Sequence, residues 1–358
     1  MTLTLILVAV AVGFLLLERK WALYALNSIR IRNSCDHPLA EPDQPVTWSA
    51  TVDNYSRLPI PFVRLIQTFP DETVYLGDQM WWRANCRKMQ LSWYSEDRMT
   101  LRGRRRVTRK IRISFTRRGV YTVGNYNVGA GDLLGFREEK RTGGGERVVV
   151  MPHRSCQKVA LDAVGGFLGD VSVRRFILED PVLTTGFRDY TGREPMRAIS
   201  WTRTAQSGAL QVKQYDYTAE RHVVVLLNVE SATVEELEEC LRLTRSVCEK
   251  LEQKKIPYAF RTNGNLPGPM GKIQTMVEGL GEQHLNTILY GLGGADGTCF
   301  YSFRTLTRHT LKNRHSSDAY IVITPNDKGE VSTCINKLSN AVGAPVCVLK
   351  GCEGGQDT

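Results

Sequence analysis

The stretch Gly186–Lys213, GFRDYTGREPMRAISWTRTAQSGALQVK, leads into a short apolar strand, HVVVLLNVE (His222–Glu230), and the pair decides how the rest of the chain is read. It reads as a glycine-containing turn, a short helix and an extended arm. Pro195 suits the first helical position and Gly208 the residue just past the helix end. Ala198, Trp201, Thr202 and Ala205 fall at helical spacing and are expected to pack inward, with Trp201 as a core anchor. Arg193, Arg197 and Arg203 are expected near the surface. ALQVKQY alternates, placing Leu210 and Val212 on one face.

Downstream of Arg221 the pattern is α/β. Val223–Leu227 is a continuous apolar run, as in a parallel strand covered on both faces. Thr233 and Glu236 have capping-box spacing, and Leu237, Leu241, Thr244, Cys248 and Leu251 form one helical stripe that Pro257 ends. YAFRT (Tyr258–Thr262), AYIVIT (Ala319–Thr324) and residues 345–350 read as strands, and 283–290, 299–312 and 330–340 as helices. Strands alternating with helices imply an open, mostly parallel sheet. Upstream, residues 33–151 read as β. Val46, Trp48, Ala50 and Val52 share one face, prolines punctuate FVRLIQTF, Ile111, Ile113 and Phe115 alternate, and Gly143–Gly145 looks like a hairpin tip. Short strands with such turns suggest a β-sandwich.

The first 17 residues, MTLTLILVAVAVGFLLL, carry no charge and precede Glu18, Arg19 and Lys20. No basic segment precedes the run and no small-residue cleavage site follows it, so a signal anchor is expected rather than a signal peptide. Trp21 and Tyr24 would sit at the interface, and Arg19, Lys20, Arg30 and Arg32 would put the following domains in the cytoplasm. The alternative is a buried N-terminal hairpin of a soluble protein.

Among 358 residues, 42% are apolar and 23% charged, which excludes a globally disordered chain. The net charge of +10 permits anionic partners without choosing among them. Nine cysteines at irregular spacing, with no CxxC, read as reduced thiols. Six scattered histidines show no zinc spacing. GLGGADG (Gly291–Gly297) lacks the Lys-Ser/Thr of a phosphate loop and reads as a strand-to-helix turn, and NGNLPGPMG (Asn263–Gly271) as a loop. There is no GxSxG or HExxH.

The order Phe187, Arg188, Tyr190, Gly192, Arg197, Ile199, Trp201, Ala205, Gly208, Leu210 and Lys213, followed by its strand, resembles the DUF58 group. These are membrane-associated bacterial and archaeal proteins with a von Willebrand factor A-like domain. Upstream, Arg118-Gly119-Val-Tyr121 and Gly131-Asp132-Leu-Leu-Gly135-Phe136 resemble the β domain of the same group. The resemblance implies a scaffold or adaptor without enzymatic activity, partnered with a MoxR-type AAA+ ATPase. It implies partner-binding roles for Arg188, Tyr190, Gly192, Arg197, Trp201 and Lys213; for the arginines the alternatives are bidentate bonds to carboxylates that clamp the signature segment, or domain-joining salt bridges. The group usually has Gly-Asp where this chain has Gly192-Arg193. Metal-binding von Willebrand A domains end their first strand in Asp-x-Ser-x-Ser. The matching positions here are Asn228, Glu230 and Ala232, a degenerate set, so no cofactor is expected and Mg²⁺ is disfavoured.

The expectation is therefore a four-part chain: a transmembrane anchor and juxtamembrane helix (1–32), a β-sandwich (33–152), a signature segment (153–220) and a von Willebrand A-like, Rossmann-type α/β domain (221–358). It places a single-pass protein at the cell membrane with its folded domains in the cytoplasm. Arg83–Arg118 is strongly basic and includes Arg102, Arg104, Arg105, Arg106, Arg109 and Lys110, with Trp81, Trp82, Trp93 and Tyr94 interleaved. It reads as solvated strand and loop, with binding to anionic lipid or nucleic acid as the alternatives. A hydrolase using a loop at the strand ends is the alternative from another class.

Overall fold

Val46, Trp48, Ala50 and Val52 are each 2% exposed or less, and this alternation turns one face of their strand into the core. The computed structural model describes residues 13, 20–131, 138–175, 184–192, 194–215, 223–269, 271–313, 319–342 and 346–351. Contacts divide the chain into one unit of Met1–His153 with Leu292–Gly294, and another of Arg154–Gly291 with Ala295–Thr358.

In the first unit, residues 20–28 are helical (α1). Then come β1 (Ile29–Cys35), β2 (Leu39–Ala40), β3 (Val46–Asn54), β4 (Ile60–Pro70), β5 (Thr73–Tyr75), α2 (Gln79–Asn85), β6 (Cys86–Lys88) and β7 (Ser92–Leu101). The unit continues with β8 (Arg106–Phe115), β9 (Gly119–Val123), β10 (Asn125–Gly131), β11 (Glu138–Gly143) and β12 (Glu146–Val150). One sheet has the order β1-β3-β8-β5, a second β11-β10-β4-β7-β6 and a third β2-β12-β9. Side chains from the first two sheets share two apolar clusters. One gathers Trp48, Phe69, Trp93, Ile111 and Phe115, and its Phe69 and Trp93 rings stack at 4.2 Å. The other gathers Ile29, Ala50, Val52, Leu65 and Leu101. The glycines at 143–145 do not form a hairpin tip, because β11 pairs with β10 and β12 with β9.

In the second unit, α3 (Lys158–Arg175) precedes β13 (Thr184–Asp189), a 3-10 turn (Met196–Ala198), α4 (Trp201–Ser207) and β14 (Gln211–Tyr215). Then come β15 (Val223–Leu227), α5 (Val234–Gln253), β16 (Tyr258–Thr262), β17 (Pro267–Gly268), β18 (Gly271–Lys272) and β19 (Thr275–Gly279). The unit ends with α6 (Glu282–Gly293), α7 (Phe303–Lys312), β20 (Ala319–Thr324), α8 (Glu330–Val342) and β21 (Val346–Lys350). The order β19-β16-β15-β20-β21 has parallel pairs throughout except at the antiparallel edge strand β19. Phe303 and Leu306 of α7 and Cys334 and Leu338 of α8 cover Val224, Leu226, Tyr320 and Val322. On the other face Cys248 of α5 lies beside Tyr258, and burial pushes its thiol up to about 12. The capping box of α5 forms, with Thr233 accepting from the Glu236 amide and Glu236 from the Thr233 amide. Gly291 and Gly293 belong to α6 rather than to a strand-to-helix turn, and α7 starts at Phe303 rather than near Cys299.

The expected fold class is overturned. Among the described residues the fold is multi-sheet and largely β, about 41% strand against 32% helix, rather than a transmembrane helix followed by a sandwich and a von Willebrand A domain. Among the described residues no helix is long and apolar enough to cross a membrane, which corrects the expectation of a transmembrane anchor and of a single-pass protein at the cell membrane. The run Met1–Leu17 lies outside the described residues except for Gly13. The segment that follows it is apolar for a different reason. Ala22 and Ala25 of α1 are at most 1% exposed, and Ala25 and Leu26 pack into the cluster of Ile29, Val52 and Leu65.

Gly124, between β9 and β10, has φ +73°, and a Cβ there would come 2.0 Å from the Trp48 ring. Gly124→Ala is expected to lower stability by about 2–4 kcal/mol, combining left-handed strain with overpacking. Denaturant titration checks this, and an unchanged midpoint would contradict the packing around Trp48.

Candidate functional site

The signature segment forms a two-stranded ribbon bearing a short helix. β13 and β14 pair antiparallel, with Phe187 opposite Lys213 and Arg188 opposite Val212. The Tyr190 amide donates to Leu210 O at 2.8 Å and the Ser200 amide to Gln211 O at 2.8 Å, which closes the connection. Gly208 ends α4 in the left-handed region, φ +72°. Pro195 caps the 3-10 turn rather than opening α4.

Among the described residues of this arm, Ile199, Ser200 and Val212 are the buried ones. Trp201 is 60% exposed, so the expectation of a core anchor is corrected. Ala205 and Thr202 are exposed as well, and no residue of α4 is buried. The reason is geometric: two turns of helix on a two-stranded ribbon have too little surface to cover an indole. Phe187, Met196 and Leu210 are exposed too, with the Arg203 guanidinium 5.1 Å from the centre of the Phe187 ring. Arg197 is exposed in the 3-10 turn, Gly192 has φ +86°, and Lys213 is half-buried. Arg193 lies outside the described residues.

Arg188 has a partner that sequence reasoning missed. Its Nη1 lies 2.7 Å from Glu194 Oε1, which also accepts from Thr191 Oγ1 at 2.7 Å. The Thr191 amide donates to Glu194 Oε2 at 3.1 Å. The Thr191 hydroxyl, with Arg188 behind it, holds the Glu194 carboxyl down at about 2. The signal was available as Thr191-x-x-Glu194, an acid two residues beyond Gly192.

The strand-end positions form a different kind of site. Asn228 is fully buried. Its Oδ1 accepts from the Glu230 amide at 3.0 Å and from Asn263 Nδ2 at 2.8 Å, and its Nδ2 donates to Thr324 Oγ1 at 3.1 Å. Asn263 Oδ1 accepts from the Val229 amide at 3.0 Å. Glu230 Oε2 accepts from the Phe303 amide at 2.7 Å, at the start of α7. Ala232 offers no side-chain ligand. Neutral amides bonded to each other and a carboxylate spent on a helix terminus do not fit a hard divalent cation, which takes several oxygen ligands including carboxylates.

The basic region separates into three places. Arg102, Arg104 and Arg105 lie in the turn between β7 and β8, where Arg104 has φ +53°. Arg106, Lys110 and Arg112 share the outer face of β8, and Arg30 and Arg32 of β1 lie on the same face of that sheet. The buried Asp53 carboxylate, bonded to Arg32 and Arg106, is held below its usual range against the burial that would raise it. Arg109 points the opposite way, toward Asp97, with 3.5 Å between its Nε and Asp97 Oδ1. Period two in the strand divides a run that looks continuous in sequence.

Asp97 is the second residue that sequence reasoning missed. It is 3% exposed on the inner face of β7, and its Oδ2 has no hydrogen-bond partner. The signal was its place in the series Trp93, Ser95, Asp97, an acid where alternation calls for a core residue.

No known family model and no curated protein matches the chain. Among solved structures it is similar to the CARDB domain of a Pyrococcus furiosus protein, in complex with di-metal ions. That match has 10% identity and a TM-score of 0.21, over 34% of this chain and 90% of the other. It is also similar to AvmM, which catalyses macrocyclization in alchivemycin A biosynthesis, at 13% identity and a TM-score of 0.22, over 33% of this chain and 88% of the other. Likenesses this distant carry no argument about fold or function.

The Glu194 clamp has a definite pH signature. A carboxyl depressed in the folded arm stabilises it above the ordinary value of 4.5, and that contribution is lost as pH falls toward about 2. Protection of the Thr191 amide, its exchange rate relative to an unstructured peptide at the same pH, is expected to persist at pH 5 and to be lost between about pH 4 and 2. Glu194→Gln should remove that dependence, and persistence of the same profile in the variant would contradict the clamp.

Proposed function

We propose that this chain is a non-enzymatic interaction scaffold whose arm, Gly186–Lys213, docks on an acidic and partly apolar face of a protein partner. The observation that carries the reading is the exposure of Trp201, 60%, in an element that also exposes Met196, Phe187 and Leu210. Single exposed apolar residues are ordinary, but four large ones on one small element, interspersed with Arg197 and Arg203, have the composition of an interface hot spot. The strand ends support binding over catalysis, since their polar groups are committed to one another. Burial also pushes the Cys299 thiol up, away from a nucleophilic thiolate. The partner implied by the DUF58 resemblance, a MoxR-type AAA+ ATPase, is the first candidate. The reading needs neither a membrane anchor nor a von Willebrand A fold.

In a pull-down with such an ATPase, Trp201→Ala and Arg197→Ala should each weaken recovery by about tenfold or more, and Arg109→Gln should leave it unchanged. Full recovery by Trp201→Ala would remove the arm from the interaction.

A second reading rests on the five cations Arg30, Arg32, Arg106, Lys110 and Arg112 on one outer sheet face. It makes that face a nucleic-acid surface. Binding of a DNA duplex should then fall steeply with salt, and Lys110→Gln and Arg112→Gln should each lower the logarithmic salt slope by about 1. A slope unchanged by both substitutions would count against it.

A further inference from the structure

Asp97 occupies a position that a core residue should hold. In β7 the inner-facing series is Trp93, Ser95 and Asp97, and across the ladder these meet Phe69, Gln67 and Leu65 of β4. Trp93 and Phe69 belong to one apolar cluster and Leu65 to the other, so Gln67, Ser95 and Asp97 form a polar band between them. Three atoms of this band, Gln67 Oε1, Ser95 Oγ and Asp97 Oδ2, are buried without a hydrogen-bond partner. Each such atom has given up its bonds to water without a replacement, which packing alone does not explain.

Asp97 also lines a groove of about 540 Å³, within the usual size of small-molecule sites. Trp81 and Tyr94 contribute aromatic surface to it, and Arg87, Arg98 and Arg109 contribute cations. Glu96 is already bonded to Arg64 and Arg98. The unmet demand is thus a donor for Asp97 Oδ2. Burial raises the Asp97 carboxyl, and Arg109 opposes that rise.

Two donor chemistries could meet this demand. An ammonium group would be drawn to Asp97 but would sit against the Arg109 guanidinium, only 3.5 Å from the same carboxylate. A hydroxyl avoids that repulsion, because it donates to Oδ2 and accepts from an arginine at once. A ring carrying several hydroxyls also presents an apolar C–H face to aromatic side chains. Arg98 pairs with Glu96 and Arg109 with Asp97, while Arg87 bonds only the Arg83 and Cys86 carbonyls among the described residues, so its guanidinium favours an anionic substituent on the ligand.

We propose that this groove binds a monosaccharide through Asp97 and Arg109, and prefers one bearing a carboxylate.

The test is calorimetric titration of the full chain with glucuronate and with glucose. Glucuronate should bind saturably and at least about threefold more tightly than glucose. Asp97→Asn replaces an acceptor oxygen by a donor at constant size, and Arg109→Gln removes the guanidinium that faces Asp97, at a cost in stability that melting measures. Each should weaken glucuronate by about tenfold. Thermal melting of both variants separates loss of the site from loss of the fold, and Arg109→Gln decides the matter if Asp97→Asn unfolds. The proposal is overturned if the native chain binds neither sugar saturably, or if folded variants bind as the native chain does. Equal affinity for the two sugars overturns the preference for an acidic one.

Discussion

Two buried asparagines hold the ends of the parallel strands together, and much else in the second unit follows from them. Asn228 and Asn263 bond to each other, to the Val229 and Glu230 amides and to Thr324, so that β15, β16 and β20 finish at one fixed polar junction. The crevice beyond the carboxyl ends of parallel strands is the usual place for a ligand in an open α/β sheet. Here Asn228, Asn263 and Thr324 are joined by side-chain bonds, and Glu230 Oε2 accepts from the Phe303 amide. Amides suit this arrangement because each offers donors and an acceptor at once without a charge to neutralise. A carboxylate at either position would bury a charge and forfeit a donor.

Beside that junction, the ribbon of β13 and β14 with its short helix exposes Phe187, Met196, Trp201 and Leu210. Ile199 and Val212 are nearly the whole of its core, while larger apolar side chains point to solvent. A structure so thinly packed depends on local polar bonds, and Arg188, Thr191 and Glu194 supply them. The clamp fixes the turn that precedes Met196 and Trp201. An ordered turn lowers the conformational cost of presenting those side chains to a partner.

What is legible in the sequence is local. Val46, Trp48, Ala50 and Val52 announce a strand because strict alternation over seven residues matches a pleat and not a helix, and Thr233 with Glu236 marks the start of α5. Assembly is not legible. The apolar residues of WALYALNS suit a lipid-facing and a protein-facing helix equally well, and the choice turns on Ile29, Val52 and Leu65, brought together only by folding. Trp201 has the spacing of a core residue, but periodicity shows which residues share a face and not whether anything covers it. Asp97 is hidden among thirteen neighbouring cations, since charge counted along a chain does not reveal which side of a strand each residue occupies. Glu194 is visible as a letter and invisible as a partner, because a turn has to bring it back to Arg188.

The central proposal is that the arm, rather than the strand ends, docks a protein partner. Hydroxyl-radical footprinting of the full chain, with and without a MoxR-type ATPase, tests it, because Met and Trp are both reactive and exposed in the arm. Protection of Met196 and Trp201, with the loop after Leu227 unchanged, is the expected result. Protection confined to residues 228–232, or no protection anywhere, would contradict a partner docked on the arm.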